Sequence, residues 1–316
     1  MTAGELLDTW LRRFASTAHS ERAGPAQLAV QLADDLGPDP SLWDVDAAPF
    51  RVTGVHNRID LMGRVDGVAH CGELRVSVAS TDEILRPFHA LFLFRQPAAA
   101  GDVDDDGTVA CRATALAWAL LSDASDAEFL VDARALLDAS LVPQDFLMIE
   151  TVELTVSPWE WRQWLPVDGA LQNPPLFQQI DPIRVNAAGA VRADFLAFVE
   201  ENASALASRT LLIPERFRAP SVRVAQGIPW VPLNLDGVDE AVLGAHPTLR
   251  QNLEIVGCAA CHTADAEFVQ TREDRSFSPF YTKELEARGV LLQDLLRFVP
   301  RTISFGPLQS EPVLPP

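Results

Sequence analysis

Lysine is almost missing from this chain: Lys283 is the only one among 316 residues, and arginine carries the remaining positive charge. The excess is acidic, with a formal net charge of -19, which argues against nucleic acid or an anionic membrane surface as partner. Long apolar runs are missing too. A membrane helix needs about 18 consecutive apolar residues, and the longest candidates, 88–94 and 115–121, are core-sized. No glycine-rich phosphate loop and no Gly-x-Ser-x-Gly elbow occurs, so neither nucleotide binding nor Ser/His/Asp catalysis has an anchor. Cysteine is scarce, at four residues. Residues 1–13 lack the basic start and apolar middle of an export signal and read as an amphipathic helix.

What is present is a core-forming composition, 48% hydrophobic. Residues 1–36 are helical in period, with Leu6, Leu7, Trp10, Leu11 and Phe14 on one face. Strands are expected at 50–55, 73–79 and 88–94, the last as a buried central strand, and again at 147–156. Helices are expected at 111–121, 128–141, 191–206 and 283–299, with a helix pair over 239–256 broken before Pro247. Residues 173–186, with Pro174, Pro175 and Pro182, read as extended loop. Trp159, Trp161 and Trp164 read as aromatic core at a strand or turn, with haem contact as the lesser alternative. The irregular alternation of helix and strand predicts an α+β fold with a mixed or antiparallel sheet and packed helices. The expected division is an α+β domain at 1–236, a helical segment at 237–306 and a polar, proline-rich tail at 307–316.

The stretch that carries chemistry is Cys258-Ala259-Ala260-Cys261-His262. Two thiols three apart, followed at once by an imidazole, form the arrangement that accepts a c-type haem. Each thiol can add to one vinyl group, and the histidine is then carried to the iron. A redox dithiol would want a βαβ context, and a zinc site would want four ligands; neither is visible. Haem c is therefore the expected covalent cofactor, and it implies a redox partner protein that no motif names. Attachment of this kind takes place outside the cytoplasm. The expectation is thus a periplasmic, outer-membrane-associated or secreted protein whose numbering begins at the mature chain. In an oxidising compartment Cys71 and Cys111 are free to form a disulfide. Neither methionine nor histidine follows His262, so a distal ligand would come from His246, Met148, Met62, His56 or His70. An open iron would suit peroxide chemistry, and two protein ligands would suit electron transfer.

A second cation is suggested by Asp102, Asp104 and Asp106 before Gly107, which follow the first half of a calcium loop. The carbonyl of Thr108 would be the next ligand, but Ala113 stands where a bidentate glutamate should be. The alternative is an acidic, solvated hairpin tip. His56 and Asp60 stand at helical spacing on a segment that reads as strand, so they are expected to make a structural polar contact.

Several segments, taken in order, carry a resemblance. They are Pro49-Phe50-Arg51, Asn57-Arg58-Ile59-Asp60-Leu61, Cys71-Gly72-Glu73-Leu74-Arg75, the Cys111 helix with Trp118, Pro158-Trp159-Glu160-Trp161-Arg162 and the Cys-x-x-Cys-His motif. Together they resemble a family of uncharacterised exported proteins of myxobacteria and their relatives, secreted or lipid-anchored. The resemblance implies that Cys71 and Cys111 act together, most simply as a disulfide. One departure stands out. Relatives carry a histidine shortly after the motif in a Phe-x-His context, where this chain has Phe268-Val269-Gln270.

The alternatives to an electron-transfer protein are two. One is a non-catalytic exported binding protein with a Cys258–Cys261 disulfide. The other is a peroxidase-like haem enzyme with an open iron.

Overall fold

The structure is a computed structural model, and it describes residues 50–80, 88–121, 125–153, 159–167, 170–176, 178–208, 210–225, 228–229, 231–254 and 279–296. Cys258, Cys261 and His262 lie outside the described residues, as do the expected helices of 1–36 and the tail at 307–316.

An antiparallel sheet with packed helices forms the described chain, an α+β architecture. Strand β1 (Phe50–Val65) pairs with β2 (Val68–Ser80), β2 with β3 (Phe88–Pro97), β3 with β4 (Phe146–Glu153) and β4 with β5 (Trp159–Val167). The short β6 (Ala170–Gln172) closes a hairpin on β5, and β7 (Val222–Ala225) with β8 (Ile228–Pro229) extends the sheet beyond β5. Every one of these pairings is antiparallel.

Local chemistry sets the hairpin. Asp66 and Gly67 both take positive φ, at 51° and 79°, the two-residue turn that suits right-twisted strands. It leaves Val65 opposite Val68. Farther along, β1 carries two extra residues between Arg58 and Met62 while β2 advances only from Glu73 to Cys71. Gly72 makes this possible. Its φ is 82°, and a Cβ there would meet the Arg58 carbonyl oxygen at 1.9 Å. Only glycine fits so close an approach.

Strands β1, β2 and β3 are longer than expected. The 50–55 strand continues through the mixed segment to Val65, because pairing with β2 supplies backbone partners regardless of side-chain pattern. Helix α1 (Arg112–Leu120) and helix α2 (Asp126–Ser140) follow β3. Helix α2 starts before Glu128 because that side chain reaches back to the Ser125 amide at 3.1 Å. The loop expected at 173–186 contains helix α3 (Pro182–Asn186). Asp181 accepts from the amides of Ile183 and Arg184, both at 3.1 Å, and Pro182 sits where its missing N–H costs nothing.

Two clusters of buried apolar side chains matter for the site. In the strands, Leu74, Val76, Ala90, Phe92, Phe94, Ile149 and Trp164 are buried, and Trp164 Nε1 donates to Thr151 Oγ1 at 3.0 Å. Trp161 and Trp164 are thus buried on a strand. A second core joins α4 (Ala190–Glu201), α5 (Ala203–Ala207), α6 (Glu240–Ala245) and α7 (Leu249–Glu254). Phe195 meets Phe217 edge-on at 5.3 Å between ring centres. This core draws on Ile180 to Leu235 and equally on Val238, Leu249 and Leu253, so residues on both sides of position 236 share it. The helix expected over 191–206 is divided at Asn202, whose Nδ2 donates to the Phe198 carbonyl at 2.8 Å. The last described helix is α8 (Pro279–Leu296). No described helix is long and apolar enough to cross a membrane.

Candidate functional site

Strands β1 and β2 place charge where a sheet usually buries apolar groups. His56 stands opposite Arg75, and Arg58 opposite Glu73. His56, Arg58 and Arg75 are each at most 3% exposed. A buried charge survives only when paired and hydrogen-bonded, and the partners are here. Arg58 grips Asp60 with Nε at 3.0 Å from Oδ1 and Nη2 at 2.9 Å from Oδ2. Arg75 donates to Glu73 Oε2 through Nε at 2.9 Å and Nη2 at 2.7 Å. A third guanidinium arrives from the other end of the chain: Arg288 on α8 brings Nε to 3.4 Å from Asp60 Oδ1.

His56 answers to this field. Its Nε2 lies 2.7 Å from Ser77 Oγ. Burial first, then Arg288, Arg75 and Arg58, push its pKa from 6.5 down to about 3. The imidazole is neutral at any physiological pH, and its Nε2 is paired with Ser77. His70 is also shifted down, by burial and then by Arg95.

Next to this cluster lies the bond between Cys71 and Cys111, with Cα atoms 5.4 Å apart. Cys71 lies in β2; Cys111 is the N-cap residue of α1. Both are fully buried. Cys111 adopts φ 49° and ψ 32°, a left-handed conformation that a residue with a Cβ resists. Ile59, Ala115 and Leu291 pack with the two sulfurs, and Met62 lies against the same group.

The aspartate turn is built around Asp102, which is fully buried. Its carboxylate accepts from the Ala99 amide at 2.8 Å, the Thr114 amide at 2.9 Å and the Thr114 hydroxyl at 2.6 Å. Its carbonyl accepts from the Ala110 and Cys111 amides at 2.8 and 3.0 Å. Asp104 is paired with Arg112 instead. Asp106 accepts from the Thr108 amide at 2.9 Å, and that contact holds its carboxyl below the usual range. The Thr108 carbonyl accepts from Asp104 N at 2.9 Å. Each expected calcium ligand therefore faces its own protein donor, and the carboxylates do not converge. Among the described residues, no group of three or more His, Cys, Asp or Glu is placed to hold a metal ion.

The described candidates for a distal iron ligand are scattered. Met62 pairs across the strands with Cys71, and His70 stands next to it in β2. Met148 is buried in β4 opposite Leu93, and His246 closes the C-terminus of α6. Arg58, Glu73 and Arg75 stood in the sequence only as part of the segments that carry the resemblance, with no role attached, and Arg288 was not singled out. An arginine two residues from a carboxylate on a strand is the signal that was available, since both side chains then share one face. Among known proteins, no family model, no curated protein and no solved structure matches the chain.

Proposed function

We propose that this chain is a mono-haem c-type protein acting outside the cytoplasm, and that it passes single electrons to a partner protein. The observation that carries the reading is the pentapeptide Cys258-Ala259-Ala260-Cys261-His262. Its donor set fits the group: two thiols for thioether bonds and one imidazole for the iron. Cys258 and Cys261 would hold the porphyrin and His262 the metal. The bound iron would supply a one-electron couple.

Two further observations support the compartment. Disulfides persist in oxidising surroundings, and Cys71–Cys111 is buried at the junction of sheet and helices. The resemblance to exported proteins points the same way.

The test is a pyridine haemochrome spectrum and an intact mass of the full chain, produced with the c-type maturation machinery. Covalent haem lost in the double variant Cys258→Ala, Cys261→Ala is the expected result. A chain without porphyrin mass that takes up four protons on reduction, two of them at Cys71 and Cys111, would instead be the exported binding protein with a second disulfide. A five-coordinate spectrum with peroxide turnover would replace electron transfer with peroxidase-like chemistry.

A further inference from the structure

Helix α8 rests in a fork. One arm is β1, the other is α1, and α8 touches both. The fork is closed by Cys71–Cys111, which ties the strand beside β1 to the first residue before α1. Leu291 packs in one cluster with both sulfurs, Ile59 and Ala115, and Leu292, Leu295 and Leu296 lie against that cluster. One ion pair, Asp60 with Arg288, anchors the same helix to β1. Cys111 is held in the left-handed region, where release of the sulfur would let the backbone relax.

The geometry points to a redox latch: reduction of Cys71–Cys111 by an external dithiol releases α8 from the sheet. This inference rests on the disulfide and the helix and is independent of the haem reading. One thiolate of the dithiol attacks a sulfur, the bond between Cys71 and Cys111 breaks, and a mixed disulfide forms. The second thiol of the reductant closes its own disulfide. Two electrons and two protons end on Cys71 and Cys111 as thiols. Two unbonded sulfurs need van der Waals separation, and both lie fully buried in one cluster with Leu291, where interiors are close-packed. The N-terminus of α1 must therefore shift, and the seat of α8 shifts with it. Coupling of this kind is reciprocal. Because α8 covers the sulfurs, loosening the helix must expose the disulfide to the reductant.

Hydrogen exchange read by mass spectrometry on the full chain, before and after dithiothreitol, tests the latch. Amides of 285–296 should lose protection by about 10-fold or more, within the range of coupled sites, while those of Ala190–Glu201 keep theirs. Unchanged protection in α8, with alkylation showing Cys71 and Cys111 free, overturns the proposal. Loss of protection in both helices together overturns it as well, since that is global unfolding. The second arm leaves the disulfide intact. Leu291→Ala should speed its reduction by dithiothreitol about 10-fold; a rate equal to that of the parent chain overturns the latch.

Discussion

Asp60 and Arg288 meet at 3.4 Å with side chains 1% and 7% exposed, so the strand near one end of the described chain and the helix at the other share one buried carboxylate. Arg58 grips the same carboxylate from two residues away. Removing one member of a buried ion group leaves the remaining charge desolvated, at a cost of about 3–5 kcal/mol. Asp60→Asn is therefore expected to lower the unfolding free energy by that amount, read as a lower urea midpoint with little change in slope. The exposed pair Arg134–Asp138, at 3.7 Å, supplies the control: Arg134→Ala should leave the midpoint where it was.

His56 gives the fold a pH dependence whose sign is determined. The folded pKa is about 3 and the unfolded value 6.5, so the unfolded chain binds the extra proton between them. Stability is then fully present above pH 6.5 and is lost as pH falls toward 3. Each pKa unit corresponds to about 1.4 kcal/mol, which makes the full effect on the order of 5 kcal/mol. Urea melts at pH 7 and pH 4.5 should separate clearly in the parent chain. His56→Gln, which keeps a partner for Ser77, should flatten the difference; an unchanged slope would assign the acid sensitivity elsewhere.

Gly72 is expected to tolerate no side chain. Alanine would put its Cβ against the Arg58 carbonyl and would also have to hold φ at 82°. Gly72→Ala should destabilise by roughly 3 kcal/mol or more, through strain at a position with no room to relax. Gly63→Ala, where nothing lies within 4 Å, is the comparison that should cost little. Equal melting temperatures for the two variants would mean that the bulge can be rebuilt.

The aspartate turn should behave as a hydrogen-bonded structure. Asp102→Ala strips acceptors from the Thr114 amide and hydroxyl and the Ala99 amide. Each buried donor left unmet costs about 1–3 kcal/mol, and a fall of several degrees in melting temperature is expected. A chelator or added calcium should leave the parent chain's melting temperature unchanged. A calcium-dependent rise would show that the carboxylates of Asp102, Asp104 and Asp106 can turn away from their present donors.

Strand and helix positions were legible where periodicity is strong: Leu74, Val76 and Val78 alternate, and 88–94 is continuous, as buried strands should be. Asp-Gly at 66–67 is a turn signal in its own right. The buried charges were harder to see. Arg58 and Arg75 look like solvated positions until strand pairing puts each beside a carboxylate, and Arg288 comes from a distant part of the sequence. In the turn, the sequence displays alternating carboxylates but hides the donors of Thr114 and Arg112 that occupy them. The helix at Pro182 was missed because proline was read as a breaker, when Asp181-Pro182 is also a starting signal.

The helical core from Ile180 to Leu253 gathers its partners from one continuous stretch, while the seat of α8 must wait for segments far apart in the sequence. Short loops close sooner than long ones. The order of assembly follows: the helical core sets early, and α8 docks last. A nascent chain would thus present a finished helical core just ahead of Cys258 while α8 is still being made.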